Sequence, residues 1–389
     1  MKKLIAVFAV LLFVAPAFAA DWSFYGSERV ATWYVNQDFK DFPQGGQDND
    51  SGTQWYLQGN SRLGARVKAD KVTGQIELAT TASSTDSAGD GSVNTRRAYG
   101  VWKFSDNASL KVGKDYSPTT DFISNQWFDG DNDMLGNGNF YGRRPQGLTL
   151  IIGDFEIAFL TPQQGNTGGI GSTTTGILTP ATSTALTQAN ATGDPDVYLP
   201  KFEASYMLKL GPGYIKPFGG FQYYSVNSAA PTQAVQDDID LYSWVAGIST
   251  SWNIGAFSIG GAVSYGANQA LSNWSSGYNS ANASLPVLKA GGDDIADIYT
   301  LQAMIVPAIK FTDTLRFEAG LGWRQDNADG APGYSQKDGS WVGYVQAMVT
   351  LAPGVFLCPE VGYIDFMDNR SGADEGYKWY AGAKWQIDF

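Results

Sequence analysis

The chain has no histidine and a single cysteine, Cys358. Without histidine there is no His-based triad, no His general base and no His-ligated metal. One cysteine allows no intrachain disulfide. Long apolar runs are missing too. Beyond the N-terminus nothing approaches the roughly 18 to 20 consecutive apolar residues of a membrane helix. Positive charge is in deficit, with 26 basic residues against 38 acidic ones and a formal charge of −12. So acidic a chain is a poor nucleic-acid ligand. What abounds is aromatic: 14% of residues, including 12 Trp and 20 Tyr. Such rings suit a boundary between water and lipid.

The N-terminus reads as an export signal. Lys2 and Lys3 precede an apolar run from Leu4 to Val14, then Pro16 and Ala17-Phe18-Ala19. A positive start, a short apolar stretch and a small-x-small site are the parts of a cleavable signal peptide. The expected division is residues 1–19 as signal peptide and 20–389 as one domain. Without Lys2 and Lys3 the chain carries 24 basic against 38 acidic groups, a formal −14. No Pro/Ser-rich linker divides it.

The last thirteen residues alternate strictly. Tyr377, Trp379, Ala381, Ala383, Trp385, Ile387 and Phe389 share one face; Lys378, Tyr380, Gly382, Lys384, Gln386 and Asp388 share the other. Strands place alternate side chains on opposite faces. The pattern recurs. Leu57, Gly59, Ser61, Leu63, Ala65 and Val67 oppose Gln58, Asn60, Arg62, Arg66 and Lys68, and Leu315, Phe317, Ala319, Leu321 and Trp323 oppose Arg316, Glu318 and Arg324. Runs of about ten residues with a period of two mark a transmembrane β-barrel. The mean hydropathy of −0.20 fits, because only alternate residues would meet lipid.

Connections alternate as well. Tight turns fall at Asp70-Lys71, Ser105-Asp106-Asn107, Gly153-Asp154, Gly211-Pro212-Gly213, Asn253-Ile254-Gly255, Thr312-Asp313 and Ala352-Pro353-Gly354. Longer polar stretches fall near 36–53, 82–94, 117–142, 163–196, 227–239, 268–295, 325–339 and 367–375. Seven turns and eight loops imply an all-β, antiparallel barrel of sixteen strands, with short periplasmic turns and long extracellular loops. The first strand carries a conflict: Glu28 and Arg29 are adjacent, so one charge must face outward or sit at a kink. A secreted sandwich or β-helix would also alternate. Yet no fixed-period repeat is present, and a sandwich has no reason to keep Arg and Lys opposite an apolar face in strand after strand.

A barrel of this size encloses an aqueous channel. Its inward charges are the candidate functional groups. Arg62, Arg66, Lys68, Lys114, Arg316, Arg324, Lys378 and Lys384 have inward parity; Arg96 is expected inward and Arg97 at the rim. The 117–142 loop carries Asp121, Asp129, Asp131 and Asp133 among Trp127, Phe128, Phe140 and Tyr141. So aromatic a loop should fold back into the lumen and set carboxylates across from the basic wall. Rings of charge set ion preference in pores. Asp129, Asp131 and Asp133 also have the spacing of Ca2+ ligands. An EF-hand is excluded, because Met134 stands where the glycine should be and Phe140 where the glutamate should be. Any other Ca2+ site competes with a plain acidic loop. No cofactor is otherwise expected. Stretch 163–196, with Gly168-Gly169-Ile170-Gly171, reads as a flexible surface loop. Cys358 reads as a small buried or wall-facing residue.

Taken in order, these segments resemble a family. Asn60-Ser61-Arg62-Leu63-Gly64, Thr95-Arg96-Arg97-Ala98-Tyr99, Leu110-Lys111-Val112-Gly113-Lys114-Asp115-Tyr116-Ser117-Pro118, the basic pair Arg143 and Arg144, and the terminal Phe389 strand are similar to segments of the bacterial general porins. The nearest likeness is to the homotrimeric porins of sulfate-reducing bacteria. The resemblance implies passive diffusion of small hydrophilic solutes and ions, and not an enzyme. It implies a homotrimer in the outer membrane of a Gram-negative bacterium, among its lipid and lipopolysaccharide. Periplasmic chaperones and the barrel-assembly machinery would be partners, with Phe389 as assembly signal. It places Arg143 and Arg144 on the basic wall and the third long loop at the constriction. The family's usual Pro-Glu-Phe-Gly-Gly is replaced here by Asp-Gly-Asp-Asn-Asp. Alternatives are a porin selective for a sugar, carboxylate or inorganic anion, and a structural or adhesive surface protein.

Overall fold

The computed structural model describes residues 20–39, 50–80, 93–163, 174–178, 190–192, 194–227, 238–275, 277–279, 283–289, 293–327, 337–370 and 372–389. The expected signal segment, 1–19, lies outside them.

Sixteen antiparallel strands close into a barrel. β1 is Asp21–Asp38. β2 is interrupted, Asp50–Leu57 then Arg62–Lys68. β3 to β7 are Val72–Thr80, Val93–Lys103, Ala108–Lys114, Gln146–Ile152 and Phe155–Leu160. β8 comes in three pieces, Asp194–Asp196, Lys201–Tyr206 and Leu208–Leu210. β9 to β12 are Gly213–Asn227, Ile239–Ile254, Phe257–Ala267 and Tyr299–Lys310. β13 to β16 are Leu315–Asn327, Asp338–Ala352, Val355–Asp365 and Tyr377–Asp388. Each strand pairs with the next in sequence. β16 then pairs with β1, Trp385 opposite Val30 and Ala383 opposite Thr32. All sixteen expected strands and all seven tight turns are present. Gly153, Gly211, Gly255 and Gly354 take positive φ at four of the turns, which glycine does without steric cost.

The outer face is apolar. Val112, Leu148, Ile248, Val263, Ile305, Leu321, Val345 and Val361 are exposed on it. Aromatic side chains gather near both ends: Trp22, Phe24, Phe104, Phe257, Phe311 and Phe389 toward the short turns, Tyr34, Trp55, Tyr198, Tyr242, Tyr265 and Trp379 toward the long loops. Phe24 and Tyr34 are ten residues apart on β1. At about 3.3 Å per residue and a tilt of roughly 40°, that separates the girdles by about 25 Å, the height of a lipid-facing band. The Glu28/Arg29 conflict resolves at β1. Arg29 turns inward to Asp131, and Glu28 stays exposed on the outer face.

Loops fill part of the long-loop end. Thr174–Leu178 pairs with Asn190–Thr192, and Val287–Leu288 joins Leu178 and Ile295–Ala296. Ile177, Leu271, Leu285, Val287 and Leu288 pack there on Tyr224, Val226, Ile239 and Leu241 of β9 and β10. Within 163–196, Thr174–Leu178 and Asn190–Thr192 are therefore built into a small sheet and Asp194–Asp196 into β8, rather than forming a free surface loop; residues 164–173, 179–189 and 193 lie outside the described residues.

Closure leaves no room at Gly382. A Cβ there would lie 2.1 Å from the Thr32 carbonyl oxygen and 2.7 Å from the Trp33 ring. Gly382→Val is expected to open the β1–β16 seam and abolish most of the fast-migrating folded band in unboiled gels. An undiminished folded band would contradict this register.

Candidate functional site

Residues 115–145 leave β5, cross the lumen and return to β6. Two wall glutamates draw the loop in. Glu360 on β15 accepts from the backbone N–H of Trp127 at 2.6 Å and of Phe128 at 3.1 Å, and from the Tyr380 hydroxyl at 2.7 Å. Glu318 on β13 accepts from the backbone and side-chain amides of Asn125, both at 2.9 Å, and from Tyr344 at 2.7 Å. Aromatic packing completes the anchor: Phe128 stacks on Tyr380 at 3.7 Å and meets Trp33 edge-on at 5.6 Å. At the far tip, Gly138 has φ +103°, and a Cβ there would sit 2.4 Å from the Ala303 carbonyl oxygen.

The chain reaches the middle of the loop through left-handed residues broken only by Asn132, at φ −69°. Asp129, Gly130, Asp131, Asp133 and Met134 all have φ between 53° and 77°. Asp and Asn tolerate this region best among residues with a side chain. Asp129, Asp131 and Asp133 thereby line one cavity of about 500 Å³. Across it stand Arg62 from β2, Arg96 from β4 and Arg144 from the end of the loop, with Tyr116, Phe122 and Tyr141 beside them.

The two sides are unequally paired. Asp131 is bonded by Arg29, by Asn60 at 2.8 Å and by Lys384 at 3.3 Å. Lys384 also lies 3.4 Å above the Trp127 ring. Asp133 sits deep in the barrel, and burial, reinforced by the Asp131 charge, pushes its carboxyl well above the usual value. Asp129 is open to the cavity but is likewise raised, chiefly by desolvation. On the opposite wall Arg96 holds Glu77 at 2.9 Å and Tyr116 at 2.9 Å. Arg62 comes only within 3.8 Å of Glu77. Arg144 donates to Tyr116 at 3.3 Å and makes no ion pair among the described residues.

Several placements differ from expectation. Arg97 is not at the rim. The pairing of β3 with β4 shifts between Glu77 and Leu78, Thr95 facing Leu78 and Arg97 facing Glu77. The extra residue is Arg96, and such a bulge lets two neighbours point the same way. Both arginines thus turn inward, Arg97 to Asp115 at 2.7 Å. Lys114 shares a face with Leu110 and Val112, and its ammonium bonds the Thr95 carbonyl at 2.8 Å. Lys111 is the inward lysine of β5, 2.9 Å from Asp115. Asp121 does not face the constriction; Tyr214 and Ser249 hold it to the wall at 2.8 and 2.5 Å. Arg324 does not line the pore. It is sealed, 0% exposed, against Asp326 at 2.8 Å and under the Gly136 and Ser275 carbonyls.

The other sites lie as follows. Arg66 covers the inward Tyr25 ring at 4.6 Å. Arg316 pairs with Glu318 at 2.8 Å and lines a separate cavity at the short-turn end with Lys310. Arg143 bonds the Asn273 carbonyl at 2.9 Å. Cys358 is buried. Among the described residues no three carboxylate or thiol groups gather as a metal site would need, and Asp131 is turned to cations of the protein. Arg29, Glu318, Glu360, Asn60 and Phe122 are not among the functional candidates the sequence pattern offers. The inward parity of Glu360, between Pro359 and Val361, was the available signal for one of them.

No family model matches the sequence, and no curated protein matches it. Solved structures do. The outer membrane channel DcaP of Acinetobacter baumannii aligns with 95% of this chain and 97% of its own, with a TM-score of 0.67 and 17% identity. Salmonella typhi OmpF, in complex with daunomycin, aligns with 94% of this chain and 97% of its own, with a TM-score of 0.55 and 14% identity. An anion-selective porin from Comamonas acidovorans aligns with 95% of this chain and all, 100%, of its own, with a TM-score of 0.55 and 12% identity. The chain therefore has the fold of outer-membrane porins, a multi-pass β-barrel.

Glu360→Ala would strand two backbone N–H groups and a buried tyrosine hydroxyl. The expected cost is on the order of 3 kcal/mol. It is measured as a lower thermal midpoint by circular dichroism, together with noisier open-channel current from the loosened loop. A midpoint and noise equal to wild type would remove Glu360 as the anchor.

Proposed function

We propose that this barrel is an outer-membrane porin, a water-filled channel for passive diffusion of small hydrophilic solutes and ions. The observation that carries the reading is the cavity between Asp129, Asp131 and Asp133 on the inserted loop and Arg62, Arg96 and Arg144 on the facing side. Charges of both signs across a narrow aqueous gap make a transverse field, which orders polar solutes and filters ions without any reaction. Residues 1–19 would be removed on export, and Phe389 would mark the chain for barrel assembly. Kinship with the porins of sulfate-reducing bacteria belongs to the same reading. Liposome swelling with neutral sugars of graded size tests the channel directly: uptake is expected to fall steeply with size, and impermeable vesicles would refute it.

Raised carboxyl values give a signed pH dependence. A carboxyl held above its ordinary value near 4 keeps its proton to higher pH. Asp129 and Asp133 therefore add negative charge only once pH exceeds their raised values, and lose it as pH falls through them. The chloride share of a KCl current is expected to grow as pH is lowered from 8 to 4, read from the reversal potential under a salt gradient. Asp129/Asp131/Asp133→Asn should move the same potential toward anions at neutral pH; an unmoved potential would sink the role of the loop.

A homotrimer is the second part of the proposal. β5, β6 and β7 have only 7, 7 and 6 residues. A transmembrane strand needs roughly 9 to 11. Lipid covers so low a wall poorly, whereas neighbouring copies can cover it. Unboiled protein should migrate at three times the chain mass and shift to monomer on boiling. A species of monomer mass alone in mild detergent would contradict this.

A further inference from the structure

The cavity at the loop does not stand alone. A second cavity of about 330 Å³ adjoins it through Tyr141 and Arg144, which line both. Its charged lining is Lys114, Arg143, Arg144 and Lys201, with no carboxylate among its lining residues. Lys201 is already matched by Glu203 at 3.1 Å. Arg143 and Arg144 make no ion pair among the described residues; Arg143 bonds a carbonyl and Arg144 a hydroxyl, and each lies over a tyrosine ring. Arg143 is held at φ +65°, a backbone strain of the kind that gathers where side chains are aimed for use.

Beside these guanidinium groups lies an open aromatic patch. Phe122 is 44% exposed although it lies inside the barrel. Its ring meets Tyr116 edge-on at 4.9 Å and approaches Tyr141 at 6.4 Å. Arg144 lies 5.2 Å from the Tyr116 ring centre. Polar residues would suit a purely aqueous wall; an exposed phenyl group offers its face to a flat apolar body. Arg62, Arg96 and Arg144 on this side are donors only, and planar forks of this kind match a carboxylate in two-point contact, while the carboxylates of the cavity belong to the facing loop.

We propose that the constriction binds small aromatic carboxylates in transit, the carboxylate on Arg144 with Arg62 or Arg96 and the ring on Phe122. This rests on the channel reading and names a solute class for the same passage. Asp131 does not oppose it, because Arg29 and Lys384 already compensate that charge, and Asp129 and Asp133 line the facing side with carboxyls that burial holds above their ordinary value.

The test is chloride current through wild-type channels in planar bilayers, with sodium benzoate, acetate or phosphate added to one side. Benzoate is expected to block at concentrations at least tenfold below acetate or phosphate. Phe122→Ala, and the milder Phe122→Leu, should bring benzoate toward the potency of acetate. Arg144→Gln should weaken block by both carboxylates. Equal potency of the three anions would show a simple charge site and overturn the proposal. So would benzoate block that survives both Phe122 substitutions in channels that still run as folded protein in unboiled gels. Absence of any conductance would overturn the channel reading itself, a result distinct from conductance without benzoate block.

Discussion

Backbone hydrogen bonding in a medium without water governs this molecule. An amide left unpaired in hydrocarbon costs several kcal/mol, so strands can cross only in a sheet without edges. Pairing of β1 with β16 from Ser27–Asp388 to Asp38–Tyr377 removes the last edge. Everything else follows from that cylinder. Alternation assigns each residue to lipid or lumen, the outer face becomes aliphatic between two aromatic girdles, and polar side chains have nowhere to go but inside.

The inside then needs its own organisation. Polar side chains turned into a wide lumen would leave a featureless hole, and the 115–145 loop prevents this. The wall meets it with glutamates whose oxygens satisfy backbone amides in a helix-poor segment. The interruption of β2 at residues 58–61 serves the same contact: Gln58 reaches the Trp127 carbonyl at 3.3 Å and Asn60 the Gly130 carbonyl at 3.1 Å. The width of the lumen at the loop is thus set by wall-to-loop hydrogen bonds and ring stacking, while the local field is set by how the charges pair afterwards.

Strand count and topology were legible in the sequence because a period of two, repeated sixteen times between turn residues, has few other physical meanings. The insertion of the third loop was legible from its rings. Side-chain address was less so. A bulge reverses parity without any sign in composition, and it turns Arg97 inward; Lys114, at the end of β5, has the parity of Val112 and still lines the second cavity. Arg324 and Asp121 have the right charge in the right region, but long-range partners, Asp326 and Tyr214, absorb them. Such pairings depend on which loop lies over which strand, and local pattern holds no record of it.

The left-handed residues between 129 and 134, all but Asn132, bear on how such a lumen can diverge among descendants. Asp, Asn and Gly all accept that backbone hand at small cost. Exchanges among them would alter the charge of the passage while leaving its framework standing. Met134, left-handed and wholly buried, has no such freedom. The charge turned to the lumen can therefore change by single substitutions, whereas the seat of the loop is held by several contacts at once.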